Sequence, residues 1–133
     1  MTFSSRMLGG GGARPPLTVI GDGMQTSCFT YVDDAVQATI AAGVKPGTDG
    51  EVFNIGNPVE TTILELAKTM IDIAGSSSTI KFVTQESVYG SSYEDIPRRV
   101  PDATKMHTVL GVRADTSLRE GLTRTIEWFR STM

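Results

Sequence analysis

Two adjacent arginines, Arg98 and Arg99 in "YEDIPRRVPD", carry the side chains best matched to a phosphate, because a guanidinium offers a planar fork of N–H donors. Beside Glu94 and Asp95 they read equally well as solvated surface charges. The stretch "GDGMQTSCFTYVDDAV", residues 21 to 36, raises a second question, since two glycines before a hydroxyl pair resemble a phosphate loop. A Walker loop needs a Lys followed by Ser or Thr after its glycines, and a dinucleotide fingerprint needs a third glycine and a helix. "GDGMQTS" has neither and runs into a strand-like segment. The remaining reactive types are single. Cys28 has no basic neighbour in sequence to lower its pKa and reads as a small core residue. His107 has no acid at pairing spacing and reads as an ordinary surface or half-buried histidine. One cysteine and one histidine do not make a structural zinc site, so no metal is expected.

These residues have to be positioned by a chain of 133 residues, 39% hydrophobic, which is the size of one ordinary domain. A net charge of −3 and no Lys/Arg run argue against nucleic acid as a partner. No stretch approaches the roughly 18 consecutive apolar residues of a membrane span, and the lone cysteine excludes an internal disulfide. The expectation is a soluble, cytoplasmic protein without membrane contact. Residues 1–15, with four consecutive glycines and no acid, are expected to be a flexible segment, and 16–133 the folded domain.

Within that domain, "LTVIG" (17 to 21) and "CFTYV" (28 to 32) read as strands of a hairpin turned by "GDGMQ". "VDDAVQATIAAG" predicts a helix with Val36, Thr39 and Ile40 at helical spacing, Asp33 or Asp34 as cap and Gly43 as stop. "EVFNIG" (51 to 56) predicts a strand and "NPVE" a turn. "TTILELAKTMIDIAG" predicts a helix with Ile63, Leu66, Ala67, Met70 and Ala74 on one face, a Thr62/Glu65 capping box and Gly75 at its end. "STIKFV" (78 to 83) predicts a further strand. "PDATKMHTVLG" predicts a short helix from Asp102 to Gly111, and "TSLREGLTRTIEWFR" one with Leu118, Leu122, Ile126 and Phe129 on its stripe and Trp128 off it. The fold class is α/β (α+β), a small mixed unit of short strands and about four helices.

Four ordered segments, "PLTVIGDGMQTSCFTYVDDAV", "GEVFNIGNPVETTILELA", "YEDIPRRVPDATK" and "LGV" followed by "TSLREGLTRTIEWF", resemble the C-terminal part of the extended short-chain dehydrogenase/reductases, the NAD-dependent nucleotide-sugar epimerases, dehydratases and decarboxylases. "PRRVPD" resembles the UDP-glucuronate decarboxylases most. In that family an N-terminal Rossmann half binds NAD and carries a Tyr-x-x-x-Lys pair. Here the glycine fingerprint is absent, and Tyr31, Tyr89 and Tyr93 are followed four residues later by Ala35, Tyr93 and Pro97. The resemblance therefore implies the substrate half alone, inactive by itself, binding no NAD, and paired with a Rossmann polypeptide or self-associated through the apolar surface left uncovered. It implies a UDP-, dTDP- or GDP-linked sugar as ligand, with Arg98 and Arg99 near the diphosphate and Leu17 and Val19, on one face of their strand, near the base. Ser27 stands where the family commonly has an Arg, a loss of about 1.5–3 kcal/mol of phosphate contact. The alternatives are a non-catalytic nucleotide-sugar binder and a degenerate packing or oligomerisation module.

Overall fold

The computed structural model describes residues 15–89 and 98–132. The glycine-rich segment, Tyr93, Glu94 and Asp95 lie outside the described residues. The elements run β1 (Leu17–Ile20), β2 (Thr26–Cys28), α1 (Val32–Val44), β3 (Glu60–Thr62), α2 (Ile63–Ala74), β4 (Ile80–Val83), α3 (Gln85–Tyr89), a π-wound turn (Met106–Leu110) and α4 (Leu118–Thr132). The short α3 has no counterpart in the sequence reading. A mixed α/β unit of short strands and helices is what the sequence implies.

The expected hairpin does not form. β1 pairs in parallel with β4, Leu17 opposite Ile80 through Ile20 opposite Val83, and β2 pairs antiparallel with β3, Thr26 opposite Thr62 and Cys28 opposite Glu60. The physical reason lies in the glycine turn. Gly21 and Gly23 both adopt positive φ, at 72° and 75°, and Asp22 accepts from the Met24 amide, so the chain turns out of the sheet. The Gly23 and Gln25 carbonyls then accept from the amides of Leu64 and Ile63 at the start of α2. A Cβ on Gly23 would come 3.0 Å from both Leu64 Cβ and Val19 Cγ1, so the turn seats the helix against β1 and must be bare to do it. "GDG" is a helix-docking turn whose carbonyls face the helix.

α2 is built as its sequence implies. Thr62 accepts from the Glu65 amide at 3.1 Å, Gly75 closes the helix at φ 58°, and Leu66, Ala67, Met70 and Ala74 are buried. α4 packs along it through Ile126, with Leu118, Leu122 and Phe129 half-buried, and Arg130 donates to the Ala74 carbonyl at the end of α2. Ser117 accepts from the Glu120 amide, the predicted cap, and Trp128 is exposed.

α1 departs from expectation on three counts. Its cap residue is Tyr31 with no side-chain bond; Asp34 instead accepts from the Thr116 amide at 3.0 Å and hydroxyl at 2.9 Å, joining α1 to the segment before α4. The helix runs through Gly43 to Val44, because nothing puts Gly43 in the left-handed conformation that ends helices. Its buried face is the alanine face: Ala38 packs with Met106, Leu110 and Ala114, while Val36, Thr39 and Ile40 face outward.

"EVFNIG" also differs. Residues 51–55 have no ladder partner among the described residues. They are held by side chains, Lys105 donating to the Val52 carbonyl and Asn54 to the Asp102 carbonyl, with Phe53 and Ile55 against the core. "NPVE" does not end as a turn, since Glu60 opens β3.

Candidate functional site

A cavity of about 490 Å³ opens between the end of β2 and the segment 54–56 on one side and residues 99–102 on the other. Ser27, Cys28, Thr30, Gly56, Arg99 and Asp102 are among its lining residues. Its size lies within the range of small-molecule sites. Each wall has a local cause. β2 is held by β3, and Thr30 accepts from the buried Asn57 amide, fixing the loop 54–57 against the strand end. Gly56 lies so close to Pro101 that a Cβ there would meet Pro101 Cγ at 3.0 Å. Asp102 accepts from the Thr104 amide at 3.0 Å as the sequence predicts; the Thr104 side chain first and this amide second hold its carboxyl below the usual range.

The two arginines separate. Arg99 lines the cavity, whereas Arg98 forms a bidentate pair with Glu60 on β3 and does not line it. Burial, and secondarily the Glu60 charge, push the Cys28 thiol up despite the nearby Arg98, so the thiol is not activated as a nucleophile. Leu17 and Val19 do not line the cavity. Val19 is 1% exposed beneath the glycine turn and Leu17 is half-buried at the start of β1. His107 lines an adjoining cavity of about 360 Å³ together with Asp102, Thr104 and Arg113.

Sequence reading did not single out Thr30, Asn54 or Glu60. The first two belong to strand-like runs where packing explains any residue, and Glu60 was read as part of a turn. Its signal would have been a charged residue opposite Cys28, which only the strand pairing supplies. Among the described residues no cluster could hold a metal ion, and no helix is long and apolar enough to cross a membrane.

The turn at Gly21 and Gly23 does not fit the pyrophosphate of NAD. It leads into β2, and its carbonyls already take the first amides of α2, so no bare helix start follows it. No hydride chemistry is derived for this chain.

No protein-family model matches the chain. The UDP-N-acetyl-alpha-D-glucosaminuronate decarboxylase of Bacillus cytotoxicus is 46% identical over 114 residues, 86% of this chain and 35% of that protein. UDP-glucuronic acid decarboxylase 1 of Arabidopsis thaliana is 38% identical over 116 residues, 87% of this chain and 25% of that protein. The UDP-glucuronic acid 4-epimerase of Bacillus cereus, solved with UDP-glucuronic acid and NAD, matches with a TM-score of 0.75 at 33% identity, over 89% of this chain and 36% of that one. The fold is thus that of a part of the NAD-dependent nucleotide-sugar epimerases and dehydratases. These relatives and neighbours are consistent with a C-terminal part of an extended short-chain dehydrogenase/reductase. It spans between a quarter and about a third of the length of the curated relatives it matches.

Proposed function

We propose that this chain is the substrate-binding part of an NAD-dependent nucleotide-sugar enzyme of the decarboxylase and epimerase type, taking a UDP-linked uronic acid and not turning it over alone. The observation that carries the reading is Arg99 in the wall of the 490 Å³ cavity, a fork donor facing a space large enough for a diphosphate. The uronic-acid choice rests on relatives named for UDP-glucuronic acid. Arg98 contributes by supporting that wall through Glu60. For the base, the reading keeps β1, whose outer edge has no strand partner among the described residues; Leu17 borders it and Val19 supports the strand from beneath.

Titration calorimetry with UDP-glucuronate, UDP-glucose, dTDP-glucose and GDP-mannose, with NAD as control, tests this. The expected result is binding of a UDP sugar, no response to NAD, and loss on Arg99→Ala. Silence throughout favours the second reading, a packing module, which has its own support in Ser27: the cavity wall carries a hydroxyl where the family resemblance calls for a second cation.

Turnover in this reading needs a Rossmann-type polypeptide. Two features support such a partner: an apolar stripe along α1, with Val32, Val36, Ile40 and Val44 at 61%, 48%, 58% and 73% exposed, and the segment 51–55, which has no strand partner among the described residues. Co-expression with the Rossmann half of a relative is expected to yield a complex, and Ile40→Glu to abolish it. Sedimentation distinguishes the self-associated alternative, in which the chain alone is a dimer that Ile40→Glu dissociates.

A further inference from the structure

Nothing in the dipeptide "RR" says which arginine should face a ligand. Both leave one short segment, and a slip of that segment by a single residue would exchange them, because side chains of extended backbone alternate between opposite sides. Among the described residues, the segment is attached to the sheet by one parallel bridge between Arg98 and Thr26. What orients it is a carboxylate.

Glu60 accepts from three donors at once: Arg98 Nη2 at 2.6 Å to Oε1, Arg98 Nε at 3.0 Å to Oε2, and Thr26 Oγ1 at 3.0 Å to Oε2. The guanidinium meets the carboxylate fork to fork, a geometry that fixes direction as well as distance. Thr26 on β2 and Glu60 on β3 are thereby tied to residue 98. With Arg98 turned to Glu60, Arg99 is turned the other way, among Ser27, Cys28 and Thr30 in the cavity wall.

We propose that Glu60, seated by Thr26, is a register lock: by holding Arg98 it selects Arg99 as the arginine that meets a phosphate. The inference rests on the nucleoside-diphosphate reading of the cavity. Its role is geometric, since the Arg98 and Glu60 side chains are 69% and 32% exposed and such pairs add little to stability. A buried-core glutamate would leave a different trace on substitution, in stability and not in the choice between arginines. Glu60 and Thr26 are accordingly positioning residues.

The test is a double-substitution cycle on the full chain with UDP as probe. In the wild-type background Arg99→Ala is expected to weaken UDP binding about tenfold to a hundredfold. In a Glu60→Gln background the same change is expected to cost only about threefold, because the released Arg98 substitutes for it. Thr26→Ser, which keeps the hydroxyl, should retain the wild-type value, and Thr26→Val should move toward the Glu60→Gln value; this pair serves if Glu60→Gln does not fold. An equal Arg99→Ala loss in both backgrounds overturns the lock. A ligand-free readout separates this failure from failure of the site itself. The Arg98 Nε–H should exchange slowly in ¹⁵N spectra of the wild type and fast in Glu60→Gln, and identical exchange in the two overturns the lock whatever UDP does. Wild-type silence toward UDP, with the Nε–H protected, overturns the cavity reading and the selective role built on it.

Discussion

α1 and α2 are nearly equal in length, 13 and 12 residues, and they are built to different standards. α2 has a hydroxyl at its start, a left-handed glycine at its end, one buried face and charges such as Lys68 and Asp72 on the other. α1 has no side-chain cap, an alanine face against the Met106–Leu110 turn and an exposed valine and isoleucine stripe on its far side. An amphipathic helix completes its burial within one layer of packing; a helix apolar on two faces belongs between two layers. The same contrast separates the strands. β2 and β3 close on each other, whereas 51–55 has no ladder partner among the described residues, its backbone meeting Lys105 at the Val52 carbonyl and the Thr48 carbonyl at the Glu51 amide. One half of the molecule is finished in itself, and the other presents surface.

The largest test of that contrast compares two isoleucines. Ile126, 1% exposed between α4 and α2, should cost about 2–5 kcal/mol when cut to alanine, read as a shifted denaturant midpoint with an unchanged slope. Ile40→Ala on the outer stripe should stay within about 0.5 kcal/mol, and a comparable loss at both sites would show that the α1 stripe is already covered. Next in size is the tie that keeps α1 in place. Asp34→Ala strips the Thr116 amide and hydroxyl of their acceptor and should cost about 1–3 kcal/mol, against a much smaller cost for Asp33→Ala. An equal response would return both aspartates to generic helix-start charges. Thr62→Ala, which uncaps α2, should cost about 1 kcal/mol in the same unfolding assay.

The smallest expected effect is a pH dependence. Hydrogen bonds from Arg98 first and Thr26 second hold the Glu60 carboxyl below its ordinary 4.5. The folded chain therefore binds fewer protons there than the unfolded chain. The contribution is complete above the ordinary value and is lost as pH falls through the lowered one. Comparing denaturant midpoints near neutrality with those at about pH 3.5 should show a slightly shallower acid loss for Glu60→Gln than for the wild type. An unchanged slope would mean that the pair is not formed in solution.

Much of the molecule was legible residue by residue. The Thr62 and Ser117 caps, the Asp102 turn, the Gly75 and Gly111 ends and the apolar faces of α2 and α4 all depend on groups within four residues of one another, so short sequence suffices to specify them. The site was half legible. A pair of arginines announces phosphate chemistry by type, yet the features that distinguish Arg99 from Arg98 lie far away in sequence, at Glu60 on β3, 38 residues from Arg98, and at Thr26 on β2.

By itself the sequence determined α2 and α4 with their caps and apolar faces, because capping and helical periodicity act over one or two turns. Only the tertiary structure decided which strand meets which. An extended segment satisfies its hydrogen bonds with any partner, and the alternation in "LTVI" looks the same beside β2 as beside β4. The tertiary structure likewise turned a glycine pair that resembles a phosphate loop into the seat of α2, through carbonyls that no local pattern could aim.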